Sequence, residues 1–390
     1  MKKENQYTKI RSKPKYFCFI ILYFLLYPIC KLLYGRKNNW IICERKDEAQ
    51  DNGYIFFKYL IDNHPEINVT YLIDKKCDQY KNVSSIGNVV QFGKFKHFML
   101  LIGCPVKISS QLFGYAPWVQ FKTYYRRNRT RDTHVFLQHG ITKNMHEGLL
   151  SETCSSLKLF ICGAKPEYDY IFDSFNYHNT VPQYTGFPRY DLLNAFKLLN
   201  QIVIMPTWRA NLENLNDDDF IKTPFFYNWT QLISNSSLNN YCLENNIVIK
   251  FYLHHSFKRF LHLFKGGRAV KIVEFGEESV QKILKESKLL ITDFSSVYFD
   301  FAYMNKPSIF FQFDEDAYYS NHYAKGYFDY RRDGFGRVCV RENEVIEEFF
   351  KIAKSDFSID PVYLSRTEKF FVYRDSQNCE RVFRAITRIK

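Results

Sequence analysis

The sequence predicts an α/β protein of two doubly wound, Rossmann-like halves. Short apolar strands alternate with helix-length segments from residue 39 onward, and the alternation starts again at Gln201. Polar residues gather where several of those strands end. Strands separated by helices of this length imply βαβ units and parallel sheets. Two such halves meeting near residues 190–200, with a cleft between them, make the GT-B arrangement. Residues 1–38 read as a membrane-associating segment, 39–195 as the first half and 196–390 as the second.

In the first half, strands are expected at Trp40–Cys43, Val69–Ile73, Val89–Phe92, Val106–Ser109, Thr133–Gln138 and Lys158–Cys162. Amphipathic helices are expected over Glu48–His64, Lys94–Gly103 and Glu167–Phe175. In the second half, strands Ile202–Met205, Ile247–Leu253, Lys271–Phe275 and Leu289–Thr292 alternate with helices around Trp229–Leu243 and at Val280–Ser287. No internal repeat, coiled coil or low-complexity linker interrupts this pattern.

Composition narrows the class without naming an activity. Aromatic residues reach 18%, too many for a disordered chain. The ten cysteines are scattered with no C-x-x-C pair, which fits reduced core thiols in a cytosolic compartment. Nine Lys or Arg against the single acid Glu4 give residues 1–40 a net charge of +8, out of +13 for the chain. Between those charges lies an apolar run, residues 16–30, shorter than the roughly 20 residues of a spanning helix. Pro28 interrupts it, and no small-residue cleavage site follows. A basic, aromatic-rich segment of this kind fits an interfacial anchor on an anionic cytoplasmic leaflet. A true span and a buried core helix are the alternatives.

The stretch 289–313 concentrates the chemistry. An apolar strand, a polar turn and an apolar helix put Thr292, Asp293, Ser295 and Ser296 between a strand's carboxyl end and a helix's first turn. Open α/β sheets bind ligands there, and helix N–H groups favour phosphate. Asp and Ser also cap helices without any ligand, so both readings stand. Asp293 and Asp300 form no clear carboxylate triad, so no metal or cofactor site is expected.

Further polar clusters follow other strands. His139 and Gly140 come after one, where a histidine suits general-base work or is simply satisfied at a strand end, and a glycine admits close backbone approach. Thr142 and Lys143 follow; they suit phosphate or a solvated loop. In MPTWR, Arg209 can grip phosphate bidentately, with Thr207 nearby, or simply cover Trp208. Arg189 and Asp191 of GFPRYD read as a mutual pair. The basic run from Tyr124 to Arg131 suits single-stranded nucleic acid in principle, but it is short and matches no RNA module. An anionic polymer, a membrane surface or plain solvent is the simpler neighbour, and no nucleic acid partner is expected.

LQHG at 137–140, TGFPRYD at 185–191, MPTWR at 205–209, TDFSSVYFDFA from 292 and GYFDY at 326–330 occur in this order, after the opening WIICERKDEAQDNGYIFFKYL at 40–60. Together they resemble the CDP-glycerol glycerophosphotransferases, the teichoic acid polymerase family, from about Trp40 to about Tyr330. The resemblance implies a GT-B fold and a base at His139 that deprotonates the acceptor hydroxyl. It also implies a donor-phosphate histidine at the end of a strand, where the family has His-Pro and this chain has His254-His255. Counting from the strand selects His254. The implied activity moves glycerol phosphate from CDP-glycerol onto a hydroxyl of a lipid-linked cell-surface polymer, releasing CMP. Ribitol phosphate transfer, and sugar transfer from a nucleotide sugar, are the alternatives. A membrane-binding protein without activity is a third.

Overall fold

The computed structural model describes residues 14–128, 130–178, 180–274, 276–321 and 324–389. Lys2, Lys3, Glu4, Lys9, Arg11 and Lys13 of the basic segment, Arg129 of the basic run and Phe275 of an expected strand lie outside the described residues. The chain forms two compact units. Unit 1 comprises Met1–Ile141, His146–Leu192 and Val372–Lys390; unit 2 comprises Thr142–Met145 and Leu193–Phe371.

Unit 1 is built on a seven-stranded sheet: β1 Asn39–Cys43, β2 Asn68–Ile73, β3 Asn88–Gln91, β4 Val106–Ser109, β5 Thr133–Phe136, β6 Leu157–Cys162 and β7 Pro182–Tyr184. Every pairing is parallel, in the order β3-β2-β1-β4-β5-β6-β7. All five residues of β1 are buried, as expected of a central parallel strand covered on both faces. The strand order reverses between β1 and β4, which makes their carboxyl ends the ligand-binding crevice of a doubly wound sheet.

Unit 2 repeats the plan with six strands: β8 Gln201–Met205, β9 Val248–Tyr252, β10 Val270–Val273, β11 Leu290–Thr292, β12 Ser308–Phe311 and β13 Gly336–Cys339. They are parallel in the order β10-β9-β8-β11-β12-β13, so the reversal falls between β8 and β11. Its core mixes aliphatic and aromatic side chains, with Phe220 stacked on Phe260 at 3.8 Å.

Several expected elements shift for local reasons. The first helix starts at Asn52 rather than Glu48, because the Glu44 carboxylate accepts the N–H groups of Gln50, Asp51 and Tyr54 and ends the preceding loop there. The helix expected over Trp229–Leu243 is two, Pro224–Ser234 and Ser236–Glu244, broken where the Asn235 side chain caps the second. Tyr124–Arg127 form the last turn of helix Val119–Arg127 instead of a loop. Tyr125 is buried there, and Arg126 donates to the carbonyls of Gly148 and Thr153. The sequence reading placed 372–390 in the second half, but these residues group with unit 1. Helix Asn378–Thr387 starts on Asp191, which accepts the Asn378 and Cys379 N–H groups at 2.8 Å each.

The apolar run near the amino terminus belongs to a single helix, Pro14–Tyr34, that continues through Pro28. By length and composition it is able to cross a membrane. One face packs on unit 1, however: Phe19 meets Phe121 edge-on at 4.8 Å, and Cys30 lies 3.4 Å from the Met99 sulfur. Near its end Lys31 bonds Asp132 at 2.6 Å, and Asp132 also holds the fully buried Lys107 at 2.7 Å. The opposite face leaves Phe17, Leu25 and Leu32 exposed, at 67%, 67% and 85%.

Candidate active site

In unit 1 the candidate base follows β5 without belonging to it. The strand stops at Phe136, two residues short of the expected end, because Gln138 adopts φ +59°, the left-handed region that non-glycine residues rarely enter. The kink turns His139 out of the strand line. His139 is exposed and Gly140 half-buried. Although the ring reaches solvent, the protein around it disfavours the imidazolium, as do the nearby charges of Arg189 and Arg45. Its pKa is therefore lowered, against a hydrogen bond with the Ser110 backbone that raises it. A neutral imidazole is the state a base requires.

Arg189 does not pair with Asp191, as the sequence suggested. Its guanidinium bonds Asp51 at 2.9 Å, and its N–H donates to the Asn52 side chain at 3.1 Å. Asp191 instead starts the last helix.

In unit 2 the two motifs flanking the strand-order reversal come together. MPTWR leaves the carboxyl end of β8, and TDFSS leaves the end of its neighbour β11. The Asp293 carboxylate accepts the Thr207 N–H at 2.8 Å, the Phe294 N–H at 2.7 Å and Arg209 Nη2 at 2.8 Å. Arg209 also clasps Asp314 through Nε at 2.9 Å and Nη2 at 2.8 Å, and Nη1 donates to the Thr207 carbonyl at 2.6 Å. Its donors are thus committed within the protein. The expected fork toward phosphate becomes a strut that fixes the loop.

Thr292 is likewise structural, its hydroxyl donating to the Met205 carbonyl at 2.6 Å. The Thr207 hydroxyl oxygen is buried without a hydrogen-bond partner among the described residues. Ser295 is half-buried and Ser296 exposed. Ser296 starts helix Val297–Tyr303 but makes no side-chain cap, and Ser295 Oγ reaches the Val297 N–H only at 3.5 Å. Capping therefore does not account for this pair.

The adjacent strand adds His254. β9 ends at Tyr252, one residue before the expected end. The His254 ring lies parallel to Trp208 of MPTWR, with centroids 5.7 Å apart and 14° between planes. Its Nδ1 accepts the Ser256 N–H at 3.3 Å. His255 is exposed. The unit thus brings His254, Thr207, Arg209, Thr292, Asp293, Ser295 and Ser296 to the ends of three neighbouring strands.

Lys143 is no solvated loop charge. It is buried in unit 2, where Nζ donates to the Phe294 carbonyl at 2.7 Å and to the Tyr330 hydroxyl, with the Tyr298 ring 5.1 Å away. Desolvation lowers its pKa to about 7, despite the opposing charge of Asp293. Gln138 and Asn52 lie inside LQHG and the opening segment 40–60, but nothing in the sequence marked their own roles, and Asp314 lies in no motif. Only a glycine at 138 would have flagged a positive φ from sequence.

Comparison with known proteins shows the family and the fold. The chain is 30% identical over 366 residues to the minor teichoic acid biosynthesis protein GgaB of Bacillus subtilis, covering 91% of this chain and 40% of that protein. It is 25% identical to the teichoic acid ribitol-phosphate polymerase TarK of Staphylococcus aureus, over 57% of this chain and 39% of that protein. The chain thus spans about two fifths of the length of these relatives. Among solved structures, the wall teichoic acid polymerase TagF superposes with a TM-score of 0.67 at 16% identity, covering 96% of this chain and 98% of that one. The family profile matches residues 29–388, and the chain belongs to the CDP-glycerol:poly(glycerophosphate) glycerophosphotransferase family.

Proposed function

We propose that this chain transfers a polyol phosphate, glycerol phosphate from CDP-glycerol, onto a hydroxyl of a lipid-linked cell-surface polymer. The observation that carries this reading is the meeting of MPTWR and TDFSS at the strand-order reversal of unit 2, with His254 beside Trp208. In the step proposed, the acceptor oxygen bonds to the donor's distal phosphorus as its proton passes to His139. The bond from that phosphorus to the bridging oxygen breaks, and CMP leaves with the electron pair. Ser295, Ser296, Thr207 and His254 hold the phosphates, stabilising charge on the transferred group. Arg209 and Asp293 set the loop that presents them, and Gly140 lets the acceptor approach the backbone.

Ribitol phosphate is the second reading, supported by the similarity to TarK. For the membrane, the doubly sided helix Pro14–Tyr34 supports an interfacial seat on the cytoplasmic leaflet. A helix packed on protein along one face offers the other to lipid, in the plane of the surface. The test is a panel of CDP-glycerol, CDP-ribitol and nucleotide sugars given to the purified chain with membranes. CMP released from a CDP-polyol is the expected result, and UDP or GDP from a nucleotide sugar would reject it.

A further inference from the structure

We propose that Asn52 is a positioning residue that holds His139 in its working orientation; this rests on reading His139 as the base. The residue before His139 is the left-handed Gln138, which a neighbourhood must over-determine if it is to persist. Its side chain is buried and donates to the Ile161 carbonyl at 2.7 Å and to Glu167 at 3.0 Å. Glu167 is fixed in turn by the Gly163 N–H at 2.6 Å. A further tie is Asn52, whose amide nitrogen donates to the Gln138 carbonyl at 2.8 Å. Asn52 is fully buried, and its oxygen accepts the Arg189 N–H at 3.1 Å.

The next residue reaches the same ring by another route. The Gly53 N–H donates to Ser110 Oγ at 2.9 Å, and the Ser110 backbone is hydrogen-bonded to His139. A Cβ on Gly53 would lie 2.9 Å from Glu44 Cγ and 3.2 Å from Ser110 Oγ, so this approach needs glycine. Two consecutive residues at the start of one helix therefore fix the peptide before His139 and the backbone its ring touches. The Asn52 amide is not the cap of its own helix, whose N-cap position is Asp51. Its hydrogen-bonding capacity goes to the loop that carries the base and to Arg189.

The test compares Asn52→Ala, His139→Ala and the double variant of the full chain. The readout is CMP release from CDP-glycerol with a soluble glycerol phosphate oligomer as acceptor. Asn52→Ala is expected to lower kcat about 10- to 100-fold, the scale of a misplaced catalytic group, with the donor KM unchanged. On the His139→Ala background it is expected to cause no further loss, because it acts through that ring. An equal fold-loss on both backgrounds, or turnover within twofold of wild type for Asn52→Ala, overturns the proposal. Near-normal turnover by His139→Ala would instead reject the base itself. Asn52→Ser is measured alongside, with circular dichroism on each variant. If neither Asn52 variant folds, the residue serves the fold and the proposal fails.

Discussion

The Arg209 guanidinium stands 2.8 Å from the Asp293 carboxylate, with the two side chains 4% and 0% exposed. This pair joins the loops leaving β8 and β11, so it decides the shape of the candidate donor site before any ligand arrives. Removing Arg209 leaves the Asp293 carboxylate buried without its cation, whereas removing Asp293 leaves Arg209 still paired with Asp314. Arg209→Ala is therefore expected to cost about 3–5 kcal/mol of stability, measured by urea unfolding. Asp293→Ala should cost less, and the double variant less than the sum of the two. Unchanged stability in either single variant would show that the pair is not the strut described here.

Much of this fold was legible because parallel strands buried on both faces are short apolar runs. Val106–Ser109 was read to the residue, and β1, β2 and β11 to within one. That MPTWR and TDFSS meet follows from β8 and β11 being neighbours, a pairing not read from the sequence. The roles of individual side chains were less legible. Arg209 looks like a phosphate ligand in sequence, but nothing local reveals that Asp314, 105 residues away, occupies it. Gln138 carries no mark of its left-handed backbone. Lys143 was open to phosphate or solvent in the sequence, because its burial depends on Tyr298 and Tyr330, which are distant in sequence.

The two histidines after β9 differ in setting, and that difference is measurable. His254 is half-buried beside Trp208, whereas His255 is exposed. His254→Ala is expected to lower transfer by about two orders of magnitude, within the range for a group stabilising developing charge. His255→Ala should stay within a few-fold of wild type. Equal losses, or the reverse order, would mean that the other ring serves the donor.

Lys143 gives a pH signature. Its folded-state pKa of about 7 lies below its value of 10.5 in the unfolded chain. Between those values the unfolded state binds the extra proton, so this group's contribution to stability rises with pH. The stability of wild type relative to Lys143→Met is therefore expected to increase from pH 7 to pH 10, by denaturant unfolding at each pH. A difference that stays flat would place the ammonium in a better solvated setting than its partners indicate.

The amino-terminal helix bears on any truncation. Deleting residues 1–36 removes Phe19 and Cys30 from the unit 1 core and leaves Asp132 without Lys31, so the shortened chain is expected to lose stability. The membrane seat is better tested by Phe17→Gln, Leu25→Gln and Leu32→Gln together, all on the exposed face. Co-sedimentation with phosphatidylglycerol vesicles is expected to fall at least tenfold, with an unchanged melting temperature. Full retention on vesicles would contradict an interfacial helix.

The group that moves is the central claim, and a doubly labelled donor follows it directly. CDP-glycerol carrying one label in cytidine and another in the distal phosphorus is incubated with the purified full chain and acceptor membranes. Cytidine label is expected in CMP and phosphorus label in the polymer, in equal amounts, with both lost in His139→Ala while donor binding persists. Distal phosphorus that stays with the nucleotide, as CDP, would contradict polyol phosphate transfer.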